Sequence, residues 1–216
     1  MALIGLLGGS FNPAHRGHRR VSLAALRALG LDQVWWLVSP GNPLKDGTKD
    51  MAPYGARLAS AKAMALHSPI AVSDIEAKLG TRYTIDTMRE LKALFPQHRF
   101  IWLLGSDTLP DFHKWRDWRD LARMVPIAVM PRPGYDRAAH AARAMGWLGR
   151  FVHPASQAKR WTEWRAPAIL FLRLPHDPTS ATAIRAINPH WHRQSPASRA
   201  SRPDGPGSKA QAEEQT

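Results

Sequence analysis

The sequence predicts a doubly wound α/β fold in a single domain, built on a mostly parallel sheet, and three observations predict it. Short, nearly unbroken apolar runs recur at residues 2–7, 33–39, 99–104 and 126–130, the pattern of strands buried on both faces. Segments with apolar residues at helical spacing lie between them. The first run ends in a glycine corner that opens straight into such a helix, which is the strand–turn–helix unit of α/β proteins.

In chain order, the strand at 2–7 leads through the corner at 8–18 to a helix over 19–29, where Val21, Leu23, Ala24, Ala25, Leu26 and Leu29 make the apolar side. A second buried strand at 33–39 ends at Pro40-Gly41-Asn42-Pro43, and a loop carrying Lys45 and Lys49 follows. Residues 54–67 form an amphipathic helix led by Pro53, and 70–73 a short strand with 74–76 as its exit. A helix then runs to Leu94 with Thr84 as its N-cap. After the strand at 99–104, Phe112, Trp115, Trp118 and Leu121 recur every third residue, a stripe expected in the core. Residues 126–130 form a strand, 131–134 a turn and 137–148 a helix. Two short outer strands, at 150–154 and 168–172, flank a poorly patterned connection at 156–167. Ser180 or Thr182 caps a last short helix through Ile187.

At 216 residues with 44% hydrophobic content, the chain can bury one good-sized core, so residues 1–190 are expected to form the domain. Residues 191–216 are rich in Ser, Pro, Arg, Gln, Glu and Gly and are expected to be a disordered tail. No segment has the uncharged apolar length of a membrane span and none reads as a signal peptide, so a cytoplasmic protein with no membrane partner is expected. The absence of cysteine excludes disulfides, thiolate catalysis and Cys-ligated zinc. A formal charge of +13 favours anionic partners. The basic residues are scattered and no zinc-finger or RNP-type motif is present, so no dedicated nucleic-acid partner is expected. Whether the protein is a homo-oligomer stays open.

The chemistry concentrates in Gly8-Gly9-Ser10-Phe11-Asn12-Pro13-Ala14-His15-Arg16-Gly17-His18. A helix N-terminus presents unpaired N–H groups and the positive end of its dipole, and so attracts phosphate. Gly8 and Gly9 let the backbone turn and approach a ligand, and Gly17 keeps the first helical turn open. His15 and His18, three residues apart, share one helical face and point two imidazoles into one site. The alternative for any one of these is a βα turn with surface histidines; the combination is what points to phosphate. Neither G-x-x-x-x-G-K-[ST] nor a G-x-G-x-x-G following a strand occurs. Gly105-Ser106-Asp107 forms a second strand-to-helix corner, where Asp107 either caps a helix or meets ribose hydroxyls. Ser180, Thr182 and Arg185 make a second phosphate cradle.

The first corner resembles the G-G-S-F-[DN]-P-x-H-x-G-H signature of the nucleotidylyltransferase superfamily. Tyr83-Thr84-x-Asp86-Thr87, Gly105-Ser106-Asp107, Phe112-x-x-Trp115, Arg132-x-Gly134 and Ser180-x-Thr182-x-x-Arg185, taken in that order, are similar to the bacterial nicotinate-nucleotide adenylyltransferase family. The resemblance covers the chain up to its tail and implies a Rossmann-like fold. It also implies an enzyme that joins ATP to nicotinate mononucleotide with Mg²⁺, giving nicotinate adenine dinucleotide and pyrophosphate. It assigns catalysis to His15, His18 and Arg185, and ATP contacts to Gly8, Gly9, Ser10, Phe11, Gly17, Gly105, Asp107, Ser180 and Thr182. Acceptor contacts fall to Lys45, Thr84, Trp115 and Arg132, with Asp107 also reaching the acceptor cleft and Trp115 beside the pyridine ring. No protein side chain is implied as a metal ligand. Three positions depart from the family: Asn12 where Asp is commoner, Leu44 where many members have His, and Ala181 where a second Ser is usual.

In-line attack by the acceptor phosphate needs no nucleophilic residue, because that phosphate is already ionised at neutral pH. The competing readings are the same chemistry on nicotinamide mononucleotide or phosphopantetheine, and a nucleotide-binding module without turnover. The segment at 83–87, with the turn at 131–134, disfavours phosphopantetheine.

Overall fold

The computed structural model describes residues 1–41, 50–175 and 177–194. Seven strands form one sheet: β1 (Leu3–Gly9), β2 (Gln33–Val38), β3 (Ile70–Ser73), β4 (Arg99–Gly105), β5 (Ile127–Met130), β6 (Val152–His153) and β7 (Ile169–Phe171). Their order is β3-β2-β1-β4-β5-β7-β6, and every pair is parallel. The chain winds outward from β1 to β3, then returns to lay β4 against the other side of β1. The winding therefore reverses between β1 and β4, which opens a crevice at their carboxyl ends.

Burial on both faces explains the apolar runs. Along β4, Phe100, Trp102 and Leu104 pack with Ile4 and Leu6 of β1 against α4 (Thr84–Leu94) and α5 (Trp118–Met124). Ile101 and Leu103 face the opposite layer, with Trp36 and Val38 of β2, under α1 (Arg16–Leu29) and α2 (Tyr54–Ala65).

Several expectations are revised. The first helix starts at Arg16, three residues earlier than its apolar period shows, because extended His15 is its N-cap. It stops where Gly30 takes φ 64°. The exit after β3 is a short helix, α3 (Ile75–Leu79), closed by Gly80 at φ 65°. Tyr83 is the N-cap residue of α4 and Thr84 its first helical residue, so Thr84 is not the cap. The aromatic stripe is split between a 3-10 turn at Leu109–Lys114 and α5, with Asp117 at φ 49° between them. Phe112 and Leu121 are buried, whereas Trp115 and Trp118 are only partly so. The helix expected over 137–148 divides into α6 (Asp136–His140) and α7 (Met145–Leu148). The chain bends between them so that Ala139, Ala142, Ala144 and Leu148 are all buried, an arrangement one straight helix does not provide. The connection after β6 is a 3-10 helix, Ala155–Glu163, whose buried Trp161 donates its indole N–H to the Leu29 carbonyl at 3.0 Å. β7 is not an outer strand but pairs with both β5 and β6. The last helix is α8 (Ala181–Ile187). Of the expected tail, Trp191–Gln194 forms a 3-10 turn, and residues 195–216 lie outside the described residues.

Candidate active site

The corner between β1 and α1 is built around buried groups. Phe11 adopts φ 48°, a region costly for a side chain with a Cβ. Its ring packs against Trp36 (centroids 4.9 Å) and His18 (5.0 Å). Arg57 of α2, 2% exposed, fastens the corner. It donates to the carbonyls of Ser10, Ser39, Pro40 and Ala52 at 2.7–3.1 Å. Asn12 is also buried, and its amide donates to Asp50 O (2.8 Å) while accepting from Ala52 N (3.2 Å). An aspartate could only accept, so the departure at this position has a local reason.

The His15 and His18 rings lie 3.8 Å apart. Burial, reinforced by the Arg132 charge, lowers the His15 pKa to about 4. Burial and then His15 hold His18 well below the ordinary histidine value, so both rings are neutral at pH 7. The His15 backbone N–H donates to His18 Nδ1 at 3.3 Å. That bond places the His18 proton on Nε2 and leaves it free to donate elsewhere. Both ring nitrogens of His15 are buried without a hydrogen-bond partner among the described residues. A bound oxyanion would satisfy whichever of the two nitrogens carries the proton.

The second cradle closes on the first. Ser180 caps α8 by accepting from Ala183 N at 3.1 Å. Arg185 donates to the Asn12 carbonyl at 2.7 Å, across 173 residues of sequence, and so meets the histidine corner in one cleft. Arg16 donates to Thr179 Oγ1 (3.0 Å), and Arg20 pairs with Asp177 (3.0 Å). A Cβ on Gly17 would lie 2.9 Å from His15 Nδ1 and 3.2 Å from the Thr179 carbonyl, so the two cradles meet through this glycine.

The third wall comes from β4 and β5. Ser106 Oγ accepts from Arg132 N at 2.8 Å, and Asp107 faces the Arg132 guanidinium at 3.5 Å. Asp107 therefore makes an ion pair; the 3-10 turn that follows has no side-chain cap. At the far end, Trp115 packs edge-on against Phe112 and Trp102, and Arg116 lies over the Tyr83 ring.

These walls enclose a cleft of about 750 Å³. It gathers Gly8, Gly9, Ser10, Phe11, His15, Gly17, His18, Thr84, Gly105, Asp107, Trp115, Arg132, Ser180, Thr182 and Arg185, which are all the residues expected from sequence except Lys45. Lys45 and Leu44 lie outside the described residues. Three positions of the corner and cleft gave no sequence signal: Arg57 within the helix expected at 54–67, Asp177 ahead of the last helix, and Glu76 in the exit after the strand at 70–73. In the fold Glu76 is buried on the cleft wall, and burial lifts its pKa to about 7 against hydrogen bonds from Thr87 and Ser39. Among the described residues, no cluster of three or more His, Cys, Asp or Glu could hold a metal, and no helix is long and apolar enough to cross a membrane.

Residues 6–187 match the cytidylyltransferase-like family model. A protein of Erythrobacter litoralis named a probable nicotinate-nucleotide adenylyltransferase is 55% identical over 187 residues, covering 87% of this chain and 85% of that protein. A counterpart of the same name in Parvibaculum lavamentivorans is 53% identical, over 84% of this chain and 90% of its own. Among solved structures, a Plasmodium falciparum nicotinic acid mononucleotide adenylyltransferase complexed with NaAD superposes with a TM-score of 0.60 at 17% identity, covering 86% and 83% of the two chains. This last likeness carries the fold. With the nucleotide-type corner, the parallel sheet and these relatives together, the chain belongs to the nicotinate-nucleotide adenylyltransferase family of cytidylyltransferase-like enzymes.

Proposed function

We propose that the protein joins the AMP part of ATP to nicotinate mononucleotide, releasing pyrophosphate and forming nicotinate adenine dinucleotide. An oxygen of the acceptor 5′-phosphate attacks the α-phosphorus in line, and the bond to the β-phosphate oxygen breaks as the new P–O bond forms. No covalent enzyme intermediate is needed. The chain's contribution is position and charge: the acceptor phosphate and the triphosphate both carry negative charge and must be held together.

The observation that carries this reading is that Arg185 and the His15–His18 pair converge on one cleft, which Thr84 and Trp115 also line. His18, a neutral ring with its proton on Nε2, would donate to an α-phosphate oxygen as charge builds there. His15, with both nitrogens unpaired, would take a neighbouring phosphate oxygen. Arg185, Ser180 and Thr182 would hold the departing pyrophosphate from the opposite side, with the backbone of Gly8, Gly9, Ser10, Phe11 and Gly17 close to the chain of phosphates. Gly105, Asp107 and Arg132 would position the nucleosides, Trp115 would stack on the pyridine, and Lys45 would neutralise phosphate. When bound with ATP, Mg²⁺ would screen the triphosphate charge. A cytoplasmic location completes the proposal.

The test is pyrophosphate release from ATP with each of three acceptors: nicotinate mononucleotide, nicotinamide mononucleotide and phosphopantetheine. The reading requires release with nicotinate mononucleotide. Fastest release with another acceptor would reassign the substrate, and release with none would make the cleft a binding module.

A further inference from the structure

The second phosphate cradle is positioned with little help from the core. No residue of α8 is buried, and Ile187 at its end is 88% exposed, so apolar packing does little to fix where Ser180, Thr182 and Arg185 sit. Polar ties hold this helix against the histidine corner. One is the Arg185 hydrogen bond to the Asn12 carbonyl, made by the guanidinium that is proposed to grip phosphate. The others run between α1 and the segment that leads into α8.

Asp177 is the junction of those ties. Its Oδ1 accepts from the Thr179 backbone N–H at 2.9 Å, and its Oδ2 accepts from Arg20 at 3.0 Å. Arg16, one turn earlier on α1, donates from Nε to Thr179 Oγ1 at 3.0 Å. Hydrogen bonds from the Thr179 side chain and backbone hold the Asp177 carboxyl below its ordinary pKa, so it is ionised at neutral pH. Both carboxylate oxygens are in use, and the side chain is only 6% exposed. The group that fixes Thr179 is therefore anchored to the helix that carries His18, and Ser180 follows Thr179 directly in the chain.

A carboxylate is an unexpected group in this place. Asp177 lines the cleft with His15, His18, Ser180 and Arg185, where a chain of phosphates is proposed to lie, and like charges repel there. Acting through its charge alone, it would weaken the binding of a triphosphate. Acting as a clamp, it would strengthen that binding, because two cradles already held at the right separation lose less freedom when a ligand closes on both.

We propose that Asp177 is a positioning residue, which ties Thr179 to Arg20 of α1, sets the distance between the two phosphate cradles and so preorganises them for a triphosphate. This role rests on the proposed seat of ATP between the cradles and is independent of the acceptor. Removing the carboxylate then has opposite signs for the two effects: tighter binding of ATP if charge dominates, weaker binding if the clamp does.

The experiment uses the full chain, its Asp177→Ala variant and its Asp177→Asn variant, whose single side-chain oxygen can serve Thr179 or Arg20 but not both in the present geometry. Calorimetry measures the affinity for ATP with Mg²⁺ and for AMP, with no acceptor present. AMP carries one phosphate and reaches one cradle, whereas ATP reaches both. Asp177→Ala is expected to bind ATP about tenfold more weakly than the wild type and Asp177→Asn about threefold more weakly, with AMP unchanged in each. ATP bound by Asp177→Ala as tightly as by the wild type, or more tightly, overturns the proposal. The same result in Asp177→Asn overturns it even if the alanine variant does not fold. An equal loss for AMP and ATP also overturns it, since a general loosening of the fold would produce that. Because no acceptor is present, a lack of pyrophosphate release with nicotinate mononucleotide would overturn the proposed function and leave this role standing. A wild type that binds ATP no more tightly than AMP would overturn this role together with the grip of the second cradle on pyrophosphate.

Discussion

Replacing Gly17 with alanine should separate stability from activity. In a helix, Gly to Ala gains up to about 1 kcal/mol in propensity. Against this, the new Cβ would sit 2.9 Å from His15 Nδ1, 3.0 Å from its Cε1 and 3.2 Å from the Thr179 carbonyl. Carbon contacts settle at about 3.5–4.0 Å, so the imidazole and the segment leading to Ser180 must each move by about half an ångström. Overpacking of this kind costs about 1–3 kcal/mol, which leaves a net change in stability within about 2 kcal/mol. Catalysis is less forgiving, because a misplacement of about 1 Å can cost 10²-fold. Half that displacement, applied to groups on both sides of the proposed triphosphate site, is expected to lower kcat/KM for ATP about tenfold. Gly55→Ala is the control: it lies near the start of α2 with nothing within 4 Å of the added carbon. It should gain stability and keep full activity. Urea denaturation and pyrophosphate release on the three proteins decide the matter. A Gly17→Ala variant with wild-type kcat/KM for ATP would refute the close meeting of the two cradles.

His18→Ala should lower kcat about a hundredfold or more while far-ultraviolet circular dichroism stays native, since it removes the donor proposed for the reacting phosphate; unchanged turnover removes that role. Arg57→Ala strips four carbonyls of their donor and should destabilise the fold by about 3 kcal/mol or more in urea titrations, as expected when a buried charge-assisted network is broken. Glu76→Gln should alter stability in a pH-dependent way. The wild-type carboxyl pKa rises from 4.5 in the unfolded chain to about 7 in the fold, so its proton contributes stability below pH 4.5 that is lost as pH rises to 7. The variant should match the wild type near pH 4 and exceed it at pH 8 by about 3 kcal/mol at most, as read from paired urea midpoints.

What the sequence determined by itself is local. Apolar runs, helical spacing and the glycine corner depend on residues within a turn or two of one another, so the strands β1, β2, β4 and β5 were legible, as were many of the residues that line the cleft. The same locality explains the errors. Alanine-rich residues 137–148 contain nothing that marks the bend between α6 and α7, because that bend answers to the core beneath it. Only the tertiary structure decided which charges are buried and which groups meet. Arg57 looks like a surface arginine until four carbonyls from the β1 corner, the end of β2 and the start of α2 converge on it. Glu76 looks like a loop acid until β2 and α4 close over it and remove the water that would keep it ionised. Arg185 reaches Asn12, and Arg16 reaches Thr179, only because the sheet returns the chain beside its own beginning after more than 160 residues. Desolvation and long-range hydrogen bonding are properties of that enclosure, and no short window of sequence contains them.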